Sequence, residues 1–117
     1  MSVFGDYIRQ VREMKRETDR RFSLRQVAER IGVEPAYLSK VERGETAPPS
    51  EAVIVRLADD LGEDPDMLLA LAGKVSSDLL DIIRKRPQVF AQLLRELRNS
   101  PDHALLRIVR EVRDGHW

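Results

Sequence analysis

Residues 23–44, SLRQVAERIGVEPAYLSKVERG, read as two short helices joined by a tight turn. Ser23 followed three residues later by Gln26 has the form of a capping box, in which each side chain satisfies an amide left open at the helix start. Leu24, Val27, Ala28 and Ile31 then fall on one helical face. Gly32 supplies the backbone freedom for a sharp turn. Pro35 suits the first turn of a second helix, where its missing N–H has no intrahelical partner to lose. Leu38 and Val41 point that helix inward, and Tyr37, Ser39, Lys40 and Arg43 face elsewhere. A short helix held from behind, with a polar and basic outer face, suits insertion into a DNA major groove.

At 117 residues the chain has the length of one domain, or of a small domain with an extension. It has no cysteine, so neither a disulfide framework nor a thiolate metal site is expected. No apolar run approaches the roughly 20 residues of a membrane span. The first residues lack an apolar stretch with a small-residue cleavage site, so no signal peptide is expected. These features together predict a soluble cytoplasmic protein.

The formal net charge is +0, which by itself argues against a nucleic-acid partner. Its distribution argues the other way. Residues 9–30 carry Arg9, Arg12, Lys15, Arg16, Arg20, Arg21, Arg25 and Arg30 against Glu13, Glu17, Asp19 and Glu29. Residues 51–72 carry Arg56 alone against Glu51, Asp59, Asp60, Glu63, Asp64 and Asp66. Cancelling patches leave one basic face, and a phosphate backbone senses the local face.

Every segment reads helical and none alternates like a strand, so the class is all-α. The spacing predicts a first helix over Val3–Glu17, with Phe4, Tyr7, Ile8, Val11 and Met14 inward, then a charged connection from Thr18 to Phe22. After the two central helices, Pro48 and Pro49 break a loop. Ser50 caps a fourth helix whose Val53, Ile54, Leu57, Ala58 and Leu61 face the core, and Gly62 ends it. Asp64-Pro65 opens a fifth, with Met67, Leu68 and Leu71 buried. Three further amphipathic helices follow, starting at Ser76 or Ser77, at Pro87 and at Ser100-Pro101-Asp102. The domain division is therefore 1–73 for a helical bundle and 74–117 for a helical extension.

Residues 4–72 resemble the phage-repressor (Cro-type, XRE) helix-turn-helix family of DNA-binding domains, a bundle of five helices. The matching runs are Ile8-x-x-Val11-Arg12, Ser23–Ala28, Ile31-Gly32-Val33, Tyr37-Leu38-Ser39, Val41-Glu42-Arg43-Gly44 and Leu57–Gly62, in this order and spacing. One feature departs from the family. Its members join the first two helices by a tight turn near a glycine, whereas Arg12 to Phe22 is about five residues longer and has no glycine. Either the first helix gains a turn or the connection forms a loop carrying Arg16, Arg20 and Arg21.

The resemblance implies base-edge contacts from Pro35, Ala36, Ser39 and Lys40, with Glu34 and Tyr37 flanking. Lys40 can donate to guanine O6 or N7, and Ala36 can meet a thymine methyl. The set is poor in Gln, Asn and Arg, so DNA shape carries more of the selection than direct readout. The plain alternative for Ser39 and Lys40 is solvated surface. Phosphate contacts are implied for Ser23, Leu24 and Arg25, at the positive end of a helix, and for Tyr37, Arg43 and Thr46. Ser23 also serves as an ordinary N-cap, and the alternative for Arg43 is a cation placed at a helix C-terminus. Arg12 and Glu42 match the family's structural ion pair.

No catalytic constellation is present in the sequence. His103 and His116 are its histidines, no metal spacing exists, and the acidic run from Asp59 to Asp66 lacks the spacing of a calcium loop. It reads instead as a solvated helix junction. Neither enzyme activity nor a cofactor is expected.

The apolar stripes of the last third must be covered. They fold back on the bundle, form a two-fold interface, or seat a different protein. A homodimer is favoured, through Phe90, Leu94, Leu105, Ile108, Val109 and Val112, because two-fold symmetry matches a palindromic operator. Trp117 either docks on that surface or is disordered. Two function classes remain: a DNA-binding regulator, most simply a repressor acting on its own promoter, and an adaptor of coactivator or antitoxin type whose C-terminal helices bind a protein.

Overall fold

Caps and glycines set the helix ends in the computed structural model, which describes residues 2–115. Met1, His116 and Trp117 lie outside the described residues, so both readings of Trp117 do too. Eight α-helices are present, with no strand among the described residues: α1 (Val3–Arg16), α2 (Leu24–Ile31), α3 (Pro35–Glu42), α4 (Glu51–Leu61), α5 (Pro65–Leu71), α6 (Ser77–Lys85), α7 (Pro87–Leu97) and α8 (Asp102–Asp114). The chain is thus all-α, with five helices before Ser76 and three after it. A 3-10 turn, Arg20–Phe22, adds an element that periodicity did not predict.

The chain divides into two compact units, one ending at Ser76 and the other starting at Ser77. In the first unit, Phe4 and Ile8 of α1, Val27, Ala28 and Ile31 of α2, and Leu38 and Val41 of α3 are buried together. Ile54, Leu57, Ala58 and Leu61 of α4 and Leu68 and Leu69 of α5 complete this core. Each large side chain buried here stabilises by about 1.5–3 kcal/mol. In the second unit none of α6, α7 or α8 has a buried residue. The first unit therefore holds the chain's hydrophobic core, and the second presents amphipathic helices. No helix is long and apolar enough to cross a membrane among the described residues.

Several expectations need correction. Met14 is 62% exposed, because α1 turns its stripe of Phe4, Ile8 and Arg12 to the core and leaves Met14 off that line. Leu69, not anticipated, is buried beside Leu68. The capping box forms by half. Ser23 Oγ accepts from the Gln26 amide at 3.3 Å, but the Ser23 amide already donates to the Arg20 carbonyl of the 3-10 turn at 3.1 Å. Ser50 occupies the N-cap of α4 without a side-chain cap bond. Gly32 ends α2 at φ 77, the left-handed conformation that a tight α2–α3 turn requires.

α1 ends at Arg16, one residue short of the expected Glu17, and the long connection to α2 is a turn followed by the 3-10 turn. Phe22 anchors it. Its ring has Lys15 Nζ at 5.5 Å and the Arg30 guanidinium at 5.2 Å, both cation–π distances. Arg30 in turn makes a two-point contact with Asp60 at 2.6 and 3.0 Å, tying α2 to α4. The acidic run is therefore partly structural rather than merely solvated. Asp60 holds Arg30, Glu63 accepts from the Tyr7 hydroxyl, and Asp64 caps α5. The bond to Glu63 raises the Tyr7 pKa. At the exposed start of the 3-10 turn, hydrogen bonds from the Arg21 side chain and backbone lower the Asp19 pKa to about 2.

Candidate nucleic-acid interface

α3 is amphipathic in a short span. Pro35 starts it, Glu34 stands at its N-cap without a side-chain bond, and Leu38, Val41 and Glu42 are buried. Opposite them, Glu34, Ala36 and Lys40 are exposed, while Pro35, Tyr37 and Ser39 are half-buried. Tyr37 packs against the edge of the core, which supports α3 rather than leaving the ring free. The Lys40 ammonium has neither a hydrogen bond nor an ion pair among the described residues.

What holds α3 is a buried ion pair. Arg12 of α1 donates from Nε to Glu42 Oε2 at 2.7 Å and from Nη2 to Glu42 Oε1 at 2.9 Å, a bidentate fork. Both side chains are 4% exposed, so the pair is shielded from water. Arg12 Nη1 also donates to the Phe22 carbonyl at 3.2 Å, and Nη2 reaches Glu13 at 3.1 Å. The Glu42 bond is the chief cause that raises the Arg12 pKa. No buried side-chain nitrogen or oxygen lacks a partner among the described residues. One guanidinium thus joins α1, α3 and the 3-10 turn, with each buried donor satisfied.

A second lock was not anticipated. Gly5 of α1 is buried, and a Cβ built there would lie 2.8 Å from the Glu42 carbonyl oxygen and closer still to that of Val41. The backbones of α1 and the end of α3 meet in direct contact. The signal was available: Gly5, Ile8 and Arg12 lie three and seven positions apart, on one stripe.

The residues assigned to phosphate contact fall on two segments. Ser23 caps α2, with Leu24 half-buried and Arg25 exposed. Arg43, at the end of α3, bonds Glu45 at 2.7 and 2.9 Å and the Ser39 hydroxyl. Hydrogen bonding from Arg43 lowers the Glu45 pKa. Thr46 is half-buried in the following loop. Arg43 must therefore exchange an exposed internal pair for any outside anion, a change that water and salt make easy.

The residues assigned to an interface between copies lie in the second unit. Leu94, Ile108, Val109 and Val112 are exposed, and Phe90 and Leu105 are half-buried. No group of three His, Cys, Asp or Glu side chains among the described residues can hold a metal ion.

A family model described as a helix-turn-helix domain matches residues 3–71. No curated protein and no solved structure matches the chain.

Proposed function

The chain belongs to the helix-turn-helix domain family, and on that premise we propose that it is a sequence-specific DNA-binding regulator of the Cro-type phage-repressor kind, acting as a homodimer on a palindromic operator. The observation that carries this reading is the mounting of α3: its inner side is clamped to α1 and α2, and its outer Ala36 and Lys40 are exposed. Lys40, Ser39, Ala36, Pro35 and Glu34 then face the base edges. Ser23, Leu24, Arg25, Tyr37, Arg43 and Thr46 hold the flanking phosphates. Repression follows from occupying promoter DNA, with no chemistry.

Footprinting on DNA upstream of the gene is expected to protect two half-sites about 34 Å apart. Lys40→Ala is expected to reduce preference for that site over mixed-sequence duplex by about 1–3 kcal/mol while leaving non-specific binding in place. Equal binding to duplex and to a matched acidic polymer would sink the proposal.

Dimer formation is supported by α6–α8. The unit Ser77–Trp117, whose helices have no buried residue, is close to the size of about 40 residues below which a chain usually needs oligomerisation or another aid to fold. Val109→Asp is expected to convert the protein to a monomer in sedimentation and to weaken operator binding with little loss on single half-sites. The same exposed rows of α7 and α8 also suit a different protein partner, the adaptor reading of coactivator or antitoxin type. Wild-type protein that sediments as a monomer at all concentrations would favour that reading.

A further inference from the structure

We propose that Arg9 of α1 is a further DNA-contacting residue, seating one backbone phosphate in the groove where α1 meets α2 and α3. The inference rests on the DNA-binding reading above and extends it to a helix otherwise regarded as support.

Arg9 lines a shallow groove together with Leu24 of α2 and Ser39 and Arg43 at the α3 end, and the Arg12–Glu42 pair also lines it. The carboxylates of that groove are already committed. Glu42 is held by Arg12 at 2.7 and 2.9 Å, and Glu13 is shared between Arg12 at 3.1 Å and Arg16 at 3.9 Å. Arg9 is exposed and has neither an ion pair nor a hydrogen bond from its side chain among the described residues. Arg12, Arg16, Arg21, Arg30 and Arg43, by contrast, each contact a carboxylate. The groove therefore ends in an uncompensated guanidinium.

The hydroxyl of Ser39 accepts from Arg43, which leaves its own proton free to donate. Arg9, Ser39 and Arg43 thus bring donors from two helices to one place. A planar guanidinium beside such donors suits a tetrahedral oxyanion, which Arg binds through two parallel bonds. The source is a duplex backbone rather than a free phosphate, because Ser39 belongs both to this groove and to the base-facing set of α3. A phosphate seated here borders the major groove that α3 enters.

The test is equilibrium binding of the full chain to a mixed-sequence duplex, with salt varied between about 50 and 200 mM. Arg9→Gln is expected to bind more weakly and to lower the slope of log K against log salt by about 0.9, the signature of one lost phosphate contact. Its affinity should then fall about threefold less than wild type across that salt range. Arg9→Lys, which keeps the charge, should retain most of the slope. An unchanged slope and affinity in Arg9→Gln would overturn the proposal, as would a lowered urea midpoint, which would reveal an internal role. Failure of the wild-type chain to bind duplex at low salt would overturn the DNA-binding reading itself, and this inference with it.

Discussion

Arg12→Met is expected to destabilise the protein by about 3–5 kcal/mol, because it leaves the Glu42 carboxylate buried without a counter-charge. That is a large share of the roughly 5–15 kcal/mol that holds a typical domain together. Glu42→Leu should cost less, because Arg12 keeps Glu13 at 3.1 Å and the Phe22 carbonyl at 3.2 Å. The double variant Arg12→Met/Glu42→Leu is expected to recover much of the loss, since an apolar pair replaces two desolvated charges. Recovery should be incomplete, because the Phe22 carbonyl loses the donor it has at 3.2 Å. Urea titration of the four proteins gives the coupling directly as a double-mutant cycle. A single-variant cost below about 1 kcal/mol would place the pair among weak surface contacts and remove it as the clamp on α3.

Gly5→Ala sets two effects of opposite sign against each other. Helix propensity favours alanine over glycine by up to about 1 kcal/mol. The contact with α3 opposes it, since the new methyl meets the carbonyl oxygens of Val41 and Glu42. Those atoms are helix backbone and cannot rotate aside as a flexible side chain would. Overpacking of this kind costs about 1–3 kcal/mol, so net destabilisation is expected. Displacing α1 also moves the end of α3, and DNA binding should fall together with stability. A stabilised Gly5→Ala protein would mean that α1 and α3 separate easily at this point. Gly5→Val should be more severe, adding two methyl groups and a β-branched side chain to the same contact.

The two variants probe different links in one assembly. Arg12 and Glu42 lock side chains across 30 residues of sequence, whereas Gly5 lets the backbones come close enough for that fork to close. Their effects are therefore expected to be non-additive. Both act on the orientation of α3, and through it on every residue assigned to base contact.

Much of the fold was legible from residues close together in the chain. The inward sets Leu24–Val27–Ala28–Ile31 and Val53–Ile54–Leu57–Ala58–Leu61 follow from the 3.6-residue period, and all of them are buried or packed at the core's edge. Gly32 and Gly62 ended their helices as read, at positive φ. Less was legible where local signals compete. Ser23 and Gln26 carry the letters of a capping box, but the preceding turn took the Ser23 amide first. Met14 follows the heptad-like spacing of α1, yet α1 presents a narrower face to its neighbours.

Of the proposed interface, the outward residues of α3 could be named from the sequence, whereas Arg9 could not. On its own helix Arg9 is one more exposed cation, and the groove that gives it meaning is assembled from α1, α2 and α3. The partnership of Arg12 with Glu42 came from family resemblance, since neither spacing nor composition brings residues so far apart together.

By itself, then, the sequence determined where helices begin and end and which of their faces turn inward, because caps, glycines, prolines and periodicity act within one or two turns of chain. Only the tertiary structure decided how closely α1 approaches α3, which carboxylate answers Arg12, and that Arg9 stands without one in the groove beside them. Those outcomes depend on distances of a few ångströms between distant segments, and no local pattern encodes such distances.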